Sequence, residues 1–278
     1  MSEIETDDEG EAGQIRTLLE AVYRRYRYDF RDYAYASIRR RVGNSVRSEG
    51  VATIAALREK LLAEPACMER FLRAVTVNVT TMFRDPGFYR AFRAQVVPVL
   101  RLLPFVRIWH AGCSTGEEVY SLAILLEEEG IYDRCLVYAT DVNLHALEEA
   151  RGGIFPLARL REYTANYLAA RGTRPFSHYY TADDDHAIVR GALRRNVVFA
   201  RHDLAVDGPF HRFHVILCRN VLIYFNSALS DRLHRRFYEC LETPGFLGLG
   251  SRESIRFTPH ETCYTETESS QSIYRKVR

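Results

Sequence analysis

The stretch Val106-Arg107-Ile108-Trp109-His110-Ala111-Gly112-Cys113-Ser114-Thr115-Gly116-Glu117-Glu118 decides the fold. A short apolar run leads into a turn of small residues, and a helical pattern follows at 117–129. Gly112 and Gly116 let the backbone pass close to a ligand where a Cβ would clash. Such a turn sits at the carboxyl edge of a parallel sheet, where ligands bind. It is neither GxGxxG nor a P-loop, and two acids at its end would repel phosphates. A phosphate-free, positively charged nucleoside suits it better.

Outward from this turn, short buried runs alternate with helices. Strands are expected at Leu136–Thr140, Val197–Ala200, Val215–Cys218 and Phe246–Gly250, and helices at 143–150 and 228–241. Cys263–Val277 alternates like two antiparallel strands. The fold class is α/β: a mixed, mostly parallel sheet with helices on both faces. Residues 152–195 break the rhythm and read as an inserted subdomain on the ligand side. Before position 77 the periodicity is helical throughout, at 14–27, 35–48, 52–63 and 66–76. The expected organisation is an acidic, flexible tail (1–12), a helical domain (13–76), a linker with a connecting helix (77–104) and the α/β domain (105–278).

Composition narrows the function. The chain has 278 residues with 38 Lys+Arg against 36 Asp+Glu, a net charge of +2 that gives no reason to expect nucleic acid. All but Lys60 and Lys276 of the bases are Arg. On the helix at 35–48, Tyr35, Ile38, Val42 and Val46 read as the core side, with Arg40, Asn44 and Arg47 opposite and Arg39 and Arg41 on the flanks. That stripe is either a solvated face or a docking surface for an acidic partner. The longest apolar run, Phe213–Phe225, is interrupted by Arg219 and is too short to span a membrane. The acidic start is unlike a signal peptide, so a cytoplasmic location is expected. The closest pair of the six cysteines is 22 residues apart, and no metal motif is present; reduced thiols and no metal are expected.

Several polar residues fall at sheet-edge positions. Asp141 ends the second strand and fits the two hydroxyls of a ribose, or else caps the next helix. Asp203 follows the strand at Val197–Ala200, where it could meet an adenine edge or be an ordinary loop residue. Arg219, Asn220 and Tyr224 stand in an apolar run and line a cleft or find partners within the fold. Asn78-Val79-Thr80-Thr81-Met82-Phe83-Arg84 lies in the linker, and Asp85-Pro86 reads as the cap and first residue of the following helix.

Taken together, NVTTMFR (78–84), STGEE (114–118), ATD (139–141) and CRNVLIYF (218–225) resemble the CheR-type glutamate O-methyltransferases of chemotaxis receptors, in order and spacing, from about residue 15 to the end. The resemblance implies a helical domain before a Rossmann-like methyltransferase domain with a small inserted β-subdomain. It implies S-adenosyl-L-methionine as cofactor and S-adenosyl-L-homocysteine as product. Cofactor contacts would come from Asn78, Thr80, Arg84, Glu118, Asp141, Asp203, Leu204, Arg219 and Asn220, beside the Gly112 turn. Arg84 and Tyr224 would lie nearest the transferred methyl group. Arg39, Arg40, Arg41 and Arg47 would dock the cytoplasmic helical domain of a methyl-accepting chemoreceptor or receptor-like protein. A monomer that neither binds nucleic acid nor enters the membrane is expected. The chain departs from the family pattern at Asp203 (usually Asn), at Gly250-Ser251-Arg252-Glu253 (usually GHSE) and at Val119 (usually Pro). Three alternatives remain at this stage: a relative serving a non-chemotactic pathway, a non-catalytic module that binds the cofactor or its product, and a methyltransferase of RNA or a small molecule.

Overall fold

The computed structural model describes residues 3–76, 80–268 and 270–278. The chain forms two compact units: Met1–Val77 with Asp203–Asp207 and Tyr224–Ser230, and Asn78–His202 with Gly208–Ile223 and Asp231–Arg278.

The first unit is built on four helices: α1 (Glu3–Tyr26), α2 (Tyr35–Ser48), α3 (Ile54–Ala63) and α4 (Pro65–Val75). The Thr53 hydroxyl accepts from Ala56 N at 3.1 Å and so caps α3, while Pro65 opens α4 where its missing N–H costs nothing. Leu18, Val22, Phe30, Ile38, Val42, Leu57, Leu61 and Phe71 make its core. The stretch from Glu3, expected in a flexible tail, is instead the start of α1.

The buried face of α2 is Ile38, Arg41, Val42 and Ser45, while Tyr35 is 43% exposed. The apolar stripe is therefore turned from the expected one. Arg41 lies three residues from Ile38 and four from Ser45, which puts it inside. Two later segments complete this unit. Tyr224 O accepts from Ala34 N at 2.9 Å, Asp32 O from Asn226 N at 2.9 Å, and the rings of Tyr33 and Phe225 meet edge to face at 5.0 Å.

The second unit begins with α5 (Pro86–Ala91), which continues through a π turn (Phe92–Val96) into α6 (Val97–Leu100). Then follow β1 (Val106–Ala111), α7 (Glu117–Glu128), β2 (Cys135–Asp141), α8 (Leu144–Gly152), β3 (Ile154–Pro156), α9 (Leu160–Ala169), β4 (Tyr180–Ala182), β5 (His186–Val189), α10 (Gly191–Arg194), β6 (Val197–Arg201), β7 (Phe213–Cys218), α11 (Ser227–Cys240, whose first turn to Ser230 counts with the first unit), β8 (Leu241–Leu249), β9 (Tyr264–Glu268) and β10 (Ile273–Lys276). The main sheet has the order β6-β2-β1-β7-β8-β10-β9. Its first five strands are parallel, and β10 and β9 close it antiparallel.

The order reverses beside β1: β2 lies on one side of it and β7 on the other. The ends of β1, β2 and β7 therefore flank the switch point at which α/β sheets bind ligands. Trp109 sits in this sheet with no exposure; its indole N–H donates to Thr140 Oγ1 at 2.9 Å and its ring stacks on Phe213.

The insertion carries the antiparallel sheet β3-β5-β4 and also the helix α9. Glu128 fastens it to α7. That carboxylate accepts from the hydroxyls of Tyr167 and Tyr179, from Thr173 N and from Arg93.

Candidate active site

The turn after β1 is pinned by the end of β2. Gly112 N and Cys113 N both donate to Thr140 O, at 2.8 and 2.9 Å, and Ser114 N donates to Asp141 Oδ2 at 2.9 Å. Gly112 has φ +77, and a Cβ there would stand 2.5 Å from Val221 Cγ2. The turn thus needs glycine twice over, for its dihedral and for the approach of the Val221 side chain.

Asp141 is nearly buried, and its other oxygen accepts from Asn143 N at 2.9 Å. Asn143, not Asp141, caps α8: its side chain accepts from His145 N at 3.0 Å and Ala146 N at 3.3 Å. The capping alternative for Asp141 is thereby removed. Burial raises the Asp141 carboxyl above the ordinary range, against the pull of the amides it accepts from. A carboxylate has about four lone-pair positions. The backbone amides of Ser114, Val142 and Asn143 use part of Asp141's, which leaves acceptor capacity at the sheet edge.

Glu118 and Arg219 form the charged centre. The Arg219 side chain is 1% exposed, and each of its five N–H groups has an acceptor. Nη1 donates to Glu118 Oε1 at 2.9 Å and Nη2 to Asp85 Oδ2 at 2.8 Å. Longer bonds of 3.4 Å reach Arg84 O from both Nη atoms and Leu249 O from Nε. The guanidinium lies 4.0 Å over the Phe88 ring. Arg219 therefore ties β7, the 80–85 loop, α7 and the end of β8 together. Burial opposes ionisation of Glu118, yet Arg219 and His110 hold its carboxyl down to about 2. Its neighbour Glu117 is the reverse case. Burial pushes that carboxyl up, although it accepts from the hydroxyls of Thr115 at 2.6 Å and Tyr163 at 3.3 Å.

Asp85 was expected to cap α5. It occupies the cap position with φ +56, but its side chain makes no capping bond. The carboxylate is spent on Arg219 instead, a charged donor that outcompetes an amide.

Asn220 follows Arg219 with φ +59. Its backbone N donates to Glu253 Oε2 at 2.8 Å, and its side-chain Oδ1 is buried with no hydrogen-bond partner. Glu253 also accepts from Gly250 N at 2.7 Å and Ile223 N at 3.2 Å. This one carboxylate thus clasps the Asn220–Ile223 turn to the end of β8. Sequence reading left the Gly250–Glu253 turn without a role. The signal was present, an acid three residues after a glycine at the end of a buried strand, but its partners lie about 30 residues away.

The 80–85 loop is held at every second carbonyl: Thr80 O accepts from Arg159 at 3.0 Å, Met82 O from Asn166 at 3.1 Å, and Arg84 O from Arg219 at 3.4 Å. Phe83 N donates to Ser121 Oγ at 2.8 Å. Phe83, Asp85, Ser114 and Asn220 all have positive φ, a conformation that costs an L-residue roughly 1–2 kcal/mol. Their concentration in the three loops of this cluster makes it the candidate functional region.

The residues present fit a cationic, phosphate-free nucleoside. Asp141 and Glu118 offer acceptors, and Asn220 Oδ1 and Thr81 Oγ1 are buried without partners. Both ring nitrogens of His110 are likewise buried without a hydrogen bond, with Nε2 3.5 Å from Glu118 Oε1.

Asp203 and Leu204, both buried, belong to the first unit. Asp203 accepts from Ala205 N at 2.9 Å and Asp29 N at 3.5 Å. Tyr224 is also in the first unit, with the Arg41 guanidinium 4.8 Å over its ring. Arg41 donates to Val75 O and is 4% exposed, so it is no part of an exposed docking face. Arg40 and Arg47 are exposed, as is Arg39, which pairs with Glu11 at 2.6 Å. Asn78 lies outside the described residues. Among the described residues no cluster of His, Cys, Asp or Glu could hold a metal, and no helix is long and apolar enough to cross a membrane. The six cysteines are free thiols, five of them buried.

Residues 78–271 match the family model described as CheR methyltransferase, SAM binding domain, and residues 13–76 match CheR methyltransferase, all-alpha domain. The protein named Cher3 of Pseudomonas putida, to which methyltransferase activity is ascribed, is 47% identical over 263 residues, covering 95% of this chain and 96% of its own. The chemotaxis protein methyltransferase of Salmonella typhimurium is 30% identical over 258 residues, covering 87% and 83%. That of Listeria monocytogenes is 29% identical over 227 residues, covering 80% and 83%.

Proposed function

The chain belongs to the CheR methyltransferase family, with S-adenosyl-L-methionine as its cofactor, and on that premise we propose that it methylates glutamate side-chain carboxylates in the cytoplasmic helical domain of a chemoreceptor or receptor-like protein. The product is a glutamate methyl ester. The observation that carries this reading is the match of both family domains over nearly the whole chain. The acceptor-rich cluster at the ends of β1, β2 and β7 supports it.

When bound, the cofactor supplies a methyl group on a sulfonium centre. A free glutamate carboxyl has a pKa near ~4.3, so the nucleophile is already an anion at neutral pH and needs no general base. The work left to the protein is alignment and removal of water. Asp141 accepts from ribose hydroxyls, and Gly112 gives the nucleoside its closest backbone approach. Glu118 pairs with the ammonium group of the amino-acid end. Asn78, Thr80, Arg84 and Asn220 contribute further polar contacts, and Asp203 and Leu204 contact the base. Arg219, whose donors are all engaged, is a positioning residue: it fixes Glu118, Asp85 and the Arg84 carbonyl. Tyr224 donates to the substrate carboxylate, and Arg84 neutralises charge beside it. Arg39, Arg40 and Arg47 face the acidic partner, without Arg41.

Calorimetric titration with S-adenosylmethionine and S-adenosylhomocysteine tests the first half. Binding by the native chain and its loss in Asp141→Ala are expected. Incubation with labelled methyl donor and a chemoreceptor cytoplasmic fragment tests the second half. A carboxyl methyl ester releases labelled methanol in alkali. Label that survives alkali would refute ester formation.

A further inference from the structure

The segment between β8 and β9 has a feature the methyl-transfer cluster does not use. Phe257 is 98% exposed with φ +65, a conformation that bulky residues rarely adopt. The loop's own hydrogen bonds hold it there. Phe257 N donates to Glu261 Oε2 at 2.8 Å, Thr258 Oγ1 and N both donate to Ile255 O, at 2.6 and 3.1 Å, and Arg256 N donates to Ser254 Oγ at 3.0 Å. The buried Ile255 side chain anchors the loop from below. An apolar ring is thus presented to water on a cross-braced support.

Its surroundings define what it fits. Burial alternates along the segment: Glu253 and Ile255 are buried, whereas Arg252, Ser254 and Arg256 are exposed. The segment thus exposes two arginines, Arg252 and Arg256, with Phe257, while Glu253 is turned inward and the exposed Glu261 carboxylate is engaged by Phe257 N. The inward acid is the same carboxylate that clasps Asn220 and Ile223, so the loop is joined to the Asn220–Ile223 turn.

We propose that the Arg252–Phe257 loop is a docking surface for the acidic helical domain of the methylated protein, with Phe257 packing on an apolar side chain of that partner and Arg252 and Arg256 pairing with its carboxylates. The partner's identity rests on the function proposed above. Aromatic and Arg side chains carry most of the energy of protein interfaces. Opposite charges on the two surfaces set encounter rate and orientation. The charge complementarity follows from the reaction itself, since a substrate modified at glutamates presents carboxylates.

The test is titration of a purified chemoreceptor cytoplasmic fragment into the full chain with S-adenosylhomocysteine present, comparing native protein, Phe257→Gly, and Arg252→Glu with Arg256→Glu. Glycine relieves the positive φ, so a purely structural loop would be as stable or more stable after the change. The expected result for Phe257→Gly is about tenfold weaker binding of the fragment, with S-adenosylhomocysteine affinity unchanged and Tm equal or higher. The double charge reversal should weaken binding by a similar factor and flatten its salt dependence. Fragment affinities within about twofold of native in both variants would overturn the docking surface alone. Failure of the native chain to bind the fragment, with its cofactor-product affinity intact, would overturn the proposed substrate and the docking partner together.

Discussion

Replacing Arg219 by Met should cost the second unit about 3–5 kcal/mol at pH 7, because it removes one partner of a buried ion pair and strands the other. The magnitude can be worked from Glu118. Its carboxyl is held at about 2 in the fold and would be near ~4.3 in the unfolded chain. At about 1.4 kcal/mol per pKa unit, that difference stabilises the native state by ~3 kcal/mol at neutral pH. The sign is fixed by the direction. A lowered carboxyl contributes stability that is fully present above ~4.3 and lost as pH falls toward about 2. Without Arg219 the buried Glu118 loses its chief stabilising charge and its pKa moves upward. The variant should then lose stability as pH rises through the acid range, opposite to the native trend. Urea unfolding at pH 3, 5 and 7 reads this directly. Pairing Arg219→Met with Glu118→Gln should restore most of the loss, since no buried charge is then left unpaired and the Asp85 carboxylate, 41% exposed, can be solvated. A loss below ~1 kcal/mol at pH 7, or no recovery in the double variant, would show that Arg219 does not organise this cluster.

Three further outcomes follow from the same geometry. Gly112→Ala introduces a Cβ 2.5 Å from Val221 Cγ2 at φ +77; it should lower stability by ~1–3 kcal/mol and weaken S-adenosylmethionine binding, read by denaturation and calorimetry. Arg84→Ala and Tyr224→Phe should each reduce methyl transfer at least ~100-fold while thermal unfolding changes little, and native rates in the folded variants would remove those roles. Arg40→Glu with Arg47→Glu reverses two exposed charges and should raise KM for a receptor fragment and reduce its salt dependence, with kcat nearly unchanged. Indifference of KM to both salt and charge reversal would exclude α2 as a docking face.

The sequence by itself determined the fold class and which residues stand at the strand ends that form the candidate site. The strand–turn–helix at 106–118 and the alternating apolar runs after it require a covered, mostly parallel sheet. Such a sheet places residues 112–118, 141 and 219–220 at the ends of its strands. Hydrophobic period and glycine placement are local signals, and local signals suffice for that much. The helical character of residues 13–76 was legible for the same reason, although the inward face of α2 was not. Ile38, Arg41, Val42 and Ser45 form a seam as regular as the predicted one, and only packing selects between two stripes offset by part of a turn. The partners of polar side chains were decided by tertiary structure alone. Asp85 looked like a cap and is a counter-ion; Arg219 looked like a cofactor ligand and has every donor engaged within the fold. Glu253 had no assigned role, yet it holds the backbone amides of Gly250 and, about 30 residues distant, of Asn220 and Ile223. A buried charge is stable only where opposite charge and hydrogen bonds converge on it. That convergence, drawn from loops more than 100 residues apart, exists only once the chain has folded.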